Sequence, residues 1–170
     1  MLEYIDILDK EGNKKGYKKL RTDELERDEF ARVIHIWIKN SNGLYLVQQR
    51  SKYKKVDPNL WSITAGFINS DETPIDTVKR ELMEELSYKL NESNIQHLFT
   101  IYPTGEKNHI AEVFLLNEDI ELDEVMAQVE EVQAVCYMNK EDILNNIAIG
   151  TFNNFNEMYN DYYQKIFEVI

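Results

Sequence analysis

The segment GFINSDETPIDTVKRELMEELSY runs from Gly66 to Tyr88 and reads as a loop feeding a helix. Gly66 permits a tight turn or a close backbone approach. Asn69-Ser70-Asp71 is turn chemistry. Thr73 then stands as N-cap, Pro74 takes the first helical position and Asp76 closes a capping box. At about 100° per residue, Ile75, Val78, Leu82 and Leu86 gather on one side, which should face a core. Glu81, Glu84 and Glu85 share an adjacent side, spread over roughly 100° by the same geometry. Three carboxylates so close repel one another unless a cation sits among them. Oxygen-only donors select a hard ion such as Mg²⁺ or Mn²⁺.

Working outward, strands are expected on both sides of this helix. Upstream, Leu2–Leu8 and Lys14–Leu20 flank the turn Asp9–Asn13 and read as an antiparallel hairpin. Arg21–Asp28 is a charged connection. Phe30–Lys39 (FARVIHIWIK) and Leu44–Gln49 (LYLVQQ) form a second hairpin across Asn40-Ser41-Asn42-Gly43. Arg50–Asn59 (RSKYKKVDPN) is the one basic cluster of an acidic chain. It reads either as a solvated loop or as a phosphate-binding rim carrying Arg50 and Lys54. Leu60–Phe67 should be a short strand entering the Gly66 turn.

Downstream, Ile95–Tyr102, His109–Leu116 and Glu131–Met138 read as strands. Glu124–Glu130 reads as a short helix or a loop. Lys140–Ile149 and Phe152–Val169 carry helical apolar spacing, broken at Gly150. The aromatic stripe Phe155, Tyr159, Tyr162, Tyr163 suits core packing or a dimer face better than a stacking platform. His35 reads as a packed or surface histidine rather than a ligand, and Cys136 as a small buried hydrophobe rather than a nucleophile. The whole is an α/β chain with a mixed sheet between helices. Residues 1–170 form one domain, with a hairpin extension over 1–28, a core over 29–142 and a helical region over 143–170.

Composition narrows the function. At 43% hydrophobic residues the chain can build a core. A net charge of −12 leaves no basic stripe for a nucleic-acid polymer, whereas a small phosphorylated substrate is compatible if cations offset the local charge. The N-terminus lacks a signal-peptide pattern, and no run approaches the ~20 apolar residues of a membrane span. With a single cysteine there can be no intrachain disulfide, and a cytoplasmic location is expected.

The central segment resembles the signature of the Nudix hydrolase family: Gly, five residues, Glu, seven residues, then Arg-Glu-aliphatic-any-Glu-Glu-any-Gly-aliphatic. Gly66, Glu72, Arg80, Glu81, Leu82, Glu84 and Glu85 fit that spacing. Ser87 stands where the pattern has Gly, and Tyr88 where it has an aliphatic residue. Without the glycine the helix is expected to run on and stop near Asn91. The resemblance implies an α/β/α sandwich and hydrolysis of a nucleoside diphosphate linked to another group. It implies Mg²⁺ or Mn²⁺ held by Glu81, Glu84 and Glu85 with the Gly66 carbonyl. Arg80 would orient the carboxylates, and Glu72 would be a further ligand or orienting partner. The proton acceptor is left open among Glu81, Glu85, Glu112, Glu130 and Glu131.

Gln48–Trp61 also resembles isopentenyl diphosphate isomerases, in which Arg50 and Lys54 would contact the diphosphate. Those enzymes use a cysteine just before the position of Gly66, but Ser62-Ile63-Thr64-Ala65 holds none. His109 is flanked by Asn108 and Ile110 rather than glutamate. A third alternative is a ligand-sensing domain without turnover, although such domains usually lose the signature carboxylates kept here.

Overall fold

The computed structural model describes residues 2–105 and 107–170. Among these, no helix is long and apolar enough to cross a membrane. The N-terminal hairpin forms as expected from β1 (Tyr4–Leu8) and β2 (Lys14–Leu20), paired antiparallel. The remaining strands build one mixed sheet. They are β3 (Ala31–Lys39), β4 (Tyr45–Arg50), β5 (Trp61–Ser62), β6 (Thr64–Phe67), β7 (Ile95–Ile101), β8 (His109–Asn117) and β9 (Val132–Met138). Parallel pairing of β3 with β8 holds its centre, and the other pairings are antiparallel.

The sequence FARVIHIWIK is apolar at nearly every position because β3 is covered on both faces. Its even-numbered residues Ile34, Ile36 and Ile38 pack with Val78, Leu82 and Leu86 of helix α1 (Pro74–Leu86). Its odd-numbered Val33 and Trp37 pack with Tyr159, Tyr162, Tyr163 and Ile166. Those belong to the C-terminal region, which carries α2 (Lys140–Ala148) and α3 (Tyr162–Val169). Strand alternation thus sends α1 to one side and the C-terminal helices to the other, giving an α/β/α sandwich.

One departure from a plain hairpin matters for the site. β3 and β4 stay paired only at Ile38–Leu46 and Lys39–Tyr45. Beyond that, β3 turns its edge to β6 over Val33–Ile36, while β4 turns its edge to β5. The two strands part, and Trp61–Phe67 bends around the opening; the single strand expected there is therefore two short ones.

Of the two alternatives for Glu124–Glu130, the loop forms, with turns at either end. Two other expectations are corrected. α1 stops at Leu86 and does not run on to Asn91. Ser87 adopts the left-handed conformation itself, at φ 54°, and the N–H groups of Ser87 and Tyr88 donate back to the carbonyls of Met83 and Leu82. The Ser87 hydroxyl donates to the Met126 carbonyl at 2.8 Å, a bond that glycine could not make. The span 152–169 is not one helix: a short 3₁₀ turn at Phe155–Glu157 precedes α3, with Asp161 at φ 56° between them. The bend folds the aromatic stripe inward, where Tyr159, Tyr162 and Tyr163 are buried in the chain's own core.

Candidate active site

The parting of β3 from β4 opens a cleft of about 240 Å³. Glu81 and Glu85, one turn apart on α1, line it together with Gly66. The capping box forms as expected, with Asp76 N donating to Thr73 Oγ1 at 3.3 Å and Thr73 N to Asp76 Oδ2 at 3.1 Å. It fixes the start of α1, and the burial of Val78, Leu82 and Leu86 fixes its rotation, so both glutamates are turned inward.

Gly66 is there for space, not for backbone freedom. Its φ is ordinary, but a Cβ at this position would lie 1.8 Å from Glu81 Oε1. The Glu81 carboxylate occupies the hollow that a larger residue would fill.

Arg80 ties the loop to the helix. Its Nε donates to Glu72 Oε1 at 2.7 Å, its Nη2 to the Phe67 carbonyl at 3.0 Å, and its Nη1 to Glu81 Oε1 at 2.7 Å and Glu84 Oε2 at 3.2 Å. Burial pushes the Glu72 carboxyl up, but hydrogen bonds from Arg80 and Thr77 outweigh it and hold the group below its ordinary value. Burial opposes charge on Arg80 too, yet Glu72 and Glu81 raise its pKa further.

Glu81 and Glu85 are each only 6% exposed. Burial raises the pKa of both, and the Glu81 charge raises Glu85 further. Glu85 Oε2 accepts from Gln48 Nε2 at 2.6 Å. The cleft is also lined by Arg21, Arg50, Lys54 and Lys107, with Lys54 ion-paired to Glu131. Buried acids and several cations in one cleft suit a ligand that is itself polyanionic and metal-bridged.

The structure thus brings Glu81, Glu85, Gly66, Arg50, Lys54 and Glu131 to one cleft. It does not bring Glu84 there: that side chain is half-exposed and held by Arg80. Glu72 and Arg80 stand behind the cleft as a brace. Glu112 is engaged elsewhere, with His97 at 2.8 Å, Thr100 at 2.7 Å and Arg32 at 3.4 Å, and Glu130 is exposed. His35 is a packed histidine as expected, its Nδ1 2.8 Å from the Tyr162 hydroxyl. Cys136 is only half-buried.

Among the described residues, no three His, Cys, Asp or Glu side chains stand together as a ready cation cage. The donors nonetheless fit a hard divalent ion. Two buried carboxylates stand one turn apart, Glu81 held by the Arg80 guanidinium and Glu85 by the Gln48 amide, and Glu81 lies against the backbone of Gly66 where no side chain intervenes.

Sequence reasoning missed Arg21, Lys107 and Gln48. Arg21 and Lys107 come from the hairpin exit and a turn far along the chain, and only topology brings them here. Gln48 carried little signal of its own, being one of three polar residues that end β4 (YLVQQR).

Comparison with known proteins agrees with this geometry. The family model for the NUDIX domain matches residues 29–157. Nudix hydrolase 3 of Arabidopsis thaliana is 32% identical over 99% of this chain, which spans only 23% of that longer protein. An uncharacterised Nudix hydrolase of Listeria innocua is 29% identical, over 84% of this chain and 83% of its own length. The crystal structure of DR0079 from Deinococcus radiodurans superposes with a TM-score of 0.79 over 98% of both chains, at 22% identity.

Proposed function

The chain belongs to the Nudix hydrolase family, and on that premise we propose that it hydrolyses a diphosphate linkage in a nucleoside diphosphate joined to another group, in the cytoplasm and with Mg²⁺ or Mn²⁺. The observation that carries this reading is the pair of buried carboxylates, Glu81 and Glu85, in one cleft with Arg21, Arg50, Lys54 and Lys107.

Glu81, Glu85 and the Gly66 carbonyl would hold the divalent ion, with Glu84 joining them from the helix edge. Bound there, the ion would neutralise diphosphate oxygens and make a water molecule easier to deprotonate. The chain's own residues do the rest. Arg80 holds Glu81 in place, and Glu72 holds Arg80. Arg50 and Lys54 take phosphate oxygens in the same cleft. Lys54 is paired with Glu131 in the free protein. A phosphate that draws Lys54 away leaves the Glu131 carboxylate without that partner. Glu131 would then accept the proton of the attacking water. Water adds to one phosphorus, its bond to the bridging oxygen breaks, and two phosphate-bearing fragments leave.

The test is a metal-dependent hydrolysis screen, with products resolved by ion-exchange chromatography, over nucleotide sugars, ADP-ribose, dinucleotides, deoxynucleoside triphosphates and prenyl diphosphates. Turnover should require Mg²⁺ or Mn²⁺ and collapse in Glu84→Gln and Glu85→Gln. Binding without turnover would favour a sensing domain, and retained activity in both variants would remove the metal-ligand assignment.

A further inference from the structure

We infer that the N-terminal hairpin is part of the active site and supplies Arg21 as a substrate-binding residue, its guanidinium taking an anionic phosphoryl oxygen of the diphosphate. The inference rests on the diphosphate-cleaving reading and adds to it a residue from the hairpin extension.

The hairpin is fastened to the loop that carries Gly66 and Glu72. Ser70 N donates to the Tyr4 carbonyl at 2.8 Å. Leu8 and Phe30 exchange backbone hydrogen bonds at 2.8 and 2.9 Å, which joins β1 to the chain entering β3. Ile5 and Ile7 are buried with Ala31, and Phe67 packs against them. Arg21 follows β2 directly, and its backbone N–H donates to the Glu3 carbonyl at 2.9 Å. Its backbone is therefore fixed relative to the loop, so little ordering is needed when a ligand arrives.

The side chain lines the cleft with Gly66, Glu81 and Glu85. With Phe67, Lys107 and His109 it also lines an adjoining hollow of about 310 Å³. The guanidinium carbon stands 5.9 Å from the centre of the Phe67 ring, one residue beyond Gly66. A planar cation over an aromatic face is an arrangement that arginine makes and lysine makes less well. Within the chain only Nη1 is committed, to Glu3 Oε2 at 2.8 Å; among the described residues the side-chain Nε and Nη2 make no hydrogen bond. The Arg21 and Glu3 side chains are 38% and 41% exposed, and pairs so open to water do little for a fold. The donors left over are those of a fork that matches phosphate oxygens. In a chain of net charge −12, whose cleft holds two buried carboxylates, such a cation also offsets the repulsion that an entering diphosphate meets.

The rival account makes Arg21 no more than half of a surface ion pair, and removing either half separates the two. Glu3→Gln breaks the pair and keeps the guanidinium. Arg21→Gln breaks the pair and removes it, while Arg21→Lys keeps the charge without the fork. Calorimetric titrations would use inorganic pyrophosphate with Mn²⁺ present. Glu3→Gln should bind at least as tightly as wild type, Arg21→Gln about tenfold more weakly and Arg21→Lys in between, with affinity for Mn²⁺ alone unchanged throughout. In hydrolysis KM should follow the lost affinity, while kcat stays within about threefold. The inference is overturned if the wild type does not bind pyrophosphate, if Arg21→Gln binds it as tightly as wild type, or if Glu3→Gln weakens binding as much as Arg21→Gln does. Should Arg21→Gln not fold by circular dichroism, Arg21→Lys decides, and wild-type affinity there overturns the inference. Turnover of nucleoside diphosphate derivatives, followed by chromatography on the same samples, judges the hydrolase reading separately: absent turnover with Arg21-dependent pyrophosphate binding would sink that reading and leave Arg21 in its role.

Discussion

Replacing Gly66 by alanine separates a site requirement from a folding requirement. The added Cβ would stand 1.8 Å from Glu81 Oε1, 2.2 Å from its carboxyl carbon and 2.8 Å from its Cγ. Ordinary contact between such atoms needs about 3.5 Å, so the carboxylate must retreat by roughly 1.5 Å. The atoms in the way are the end of a flexible side chain, and φ at Gly66 already suits alanine. Folding should therefore weaken only modestly: loss of the charged Arg80–Glu81 hydrogen bond costs about 1.5–3 kcal/mol, while the stiffer unfolded chain returns about 0.4–1. Catalysis should change greatly, because a displacement of about 1 Å at a reacting centre can cost 10²-fold, or about 2.7 kcal/mol of barrier. Thermal melting by circular dichroism and Mn²⁺-dependent hydrolysis, followed by chromatography of the two phosphomonoester products, on one preparation, read both quantities. A Gly66→Ala protein that turns over within threefold of wild type would refute the claim that this hollow positions Glu81. One that unfolds would show that Gly66 serves the backbone instead.

Other consequences can be checked singly. Burial holds the His35 pKa down at about 3, against an ordinary 6.5, so the unfolded chain takes up a proton below pH 6.5 that the folded chain refuses. Stability therefore falls with pH in that window, and His35→Phe should gain on the wild type by about 1.4 kcal/mol per pH unit between pH 6.5 and 5 in urea titrations; a constant gap would contradict this. At the end of α1, Ser87→Gly should leave stability close to wild type, trading about 1 kcal/mol of left-handed strain for the lost bond to Met126. Ser87→Ala recovers no strain and should fall about 1 kcal/mol lower; chemical denaturation reads the order, and an alanine variant as stable as the glycine one would be inconsistent with it. Lys54→Met should raise KM about tenfold with its main effect on binding, since it removes one positive charge from the cleft. An unchanged KM would place Lys54 in the surface ion pair alone.

Much of the scaffold was legible because its signals are local. The capping box Thr73–Asp76, the apolar spacing of α1 and the turn at Asn40–Gly43 each need only neighbours in sequence, and each forms where expected. The end of α1 misled because the family pattern treats the cap as glycine, whereas Ser87 reaches a carbonyl 39 residues away to support the same conformation. The bend before α3 was hidden for a similar reason: Phe155, Tyr159 and Tyr162 keep helical spacing, but they are held by the far side of the sheet rather than by one helix. At the site, Glu81, Glu85, Gly66, Arg50 and Lys54 could be read directly, whereas Glu84, read with them from the same helix face, lies outside the cleft. The placing of Arg21 and Lys107 could not, because the parting of β3 from β4 is a pairing fact that no single segment carries.

The central claim is that Glu81 and Glu85 share a divalent cation beside the diphosphate. Mn²⁺ titration followed by electron paramagnetic resonance, on wild type and Glu81→Gln/Glu85→Gln, tests it without reference to substrate. The account predicts saturable binding in the wild type, loss of at least one ion in the double variant, and unchanged folding by circular dichroism. Equal Mn²⁺ binding by both proteins would contradict it.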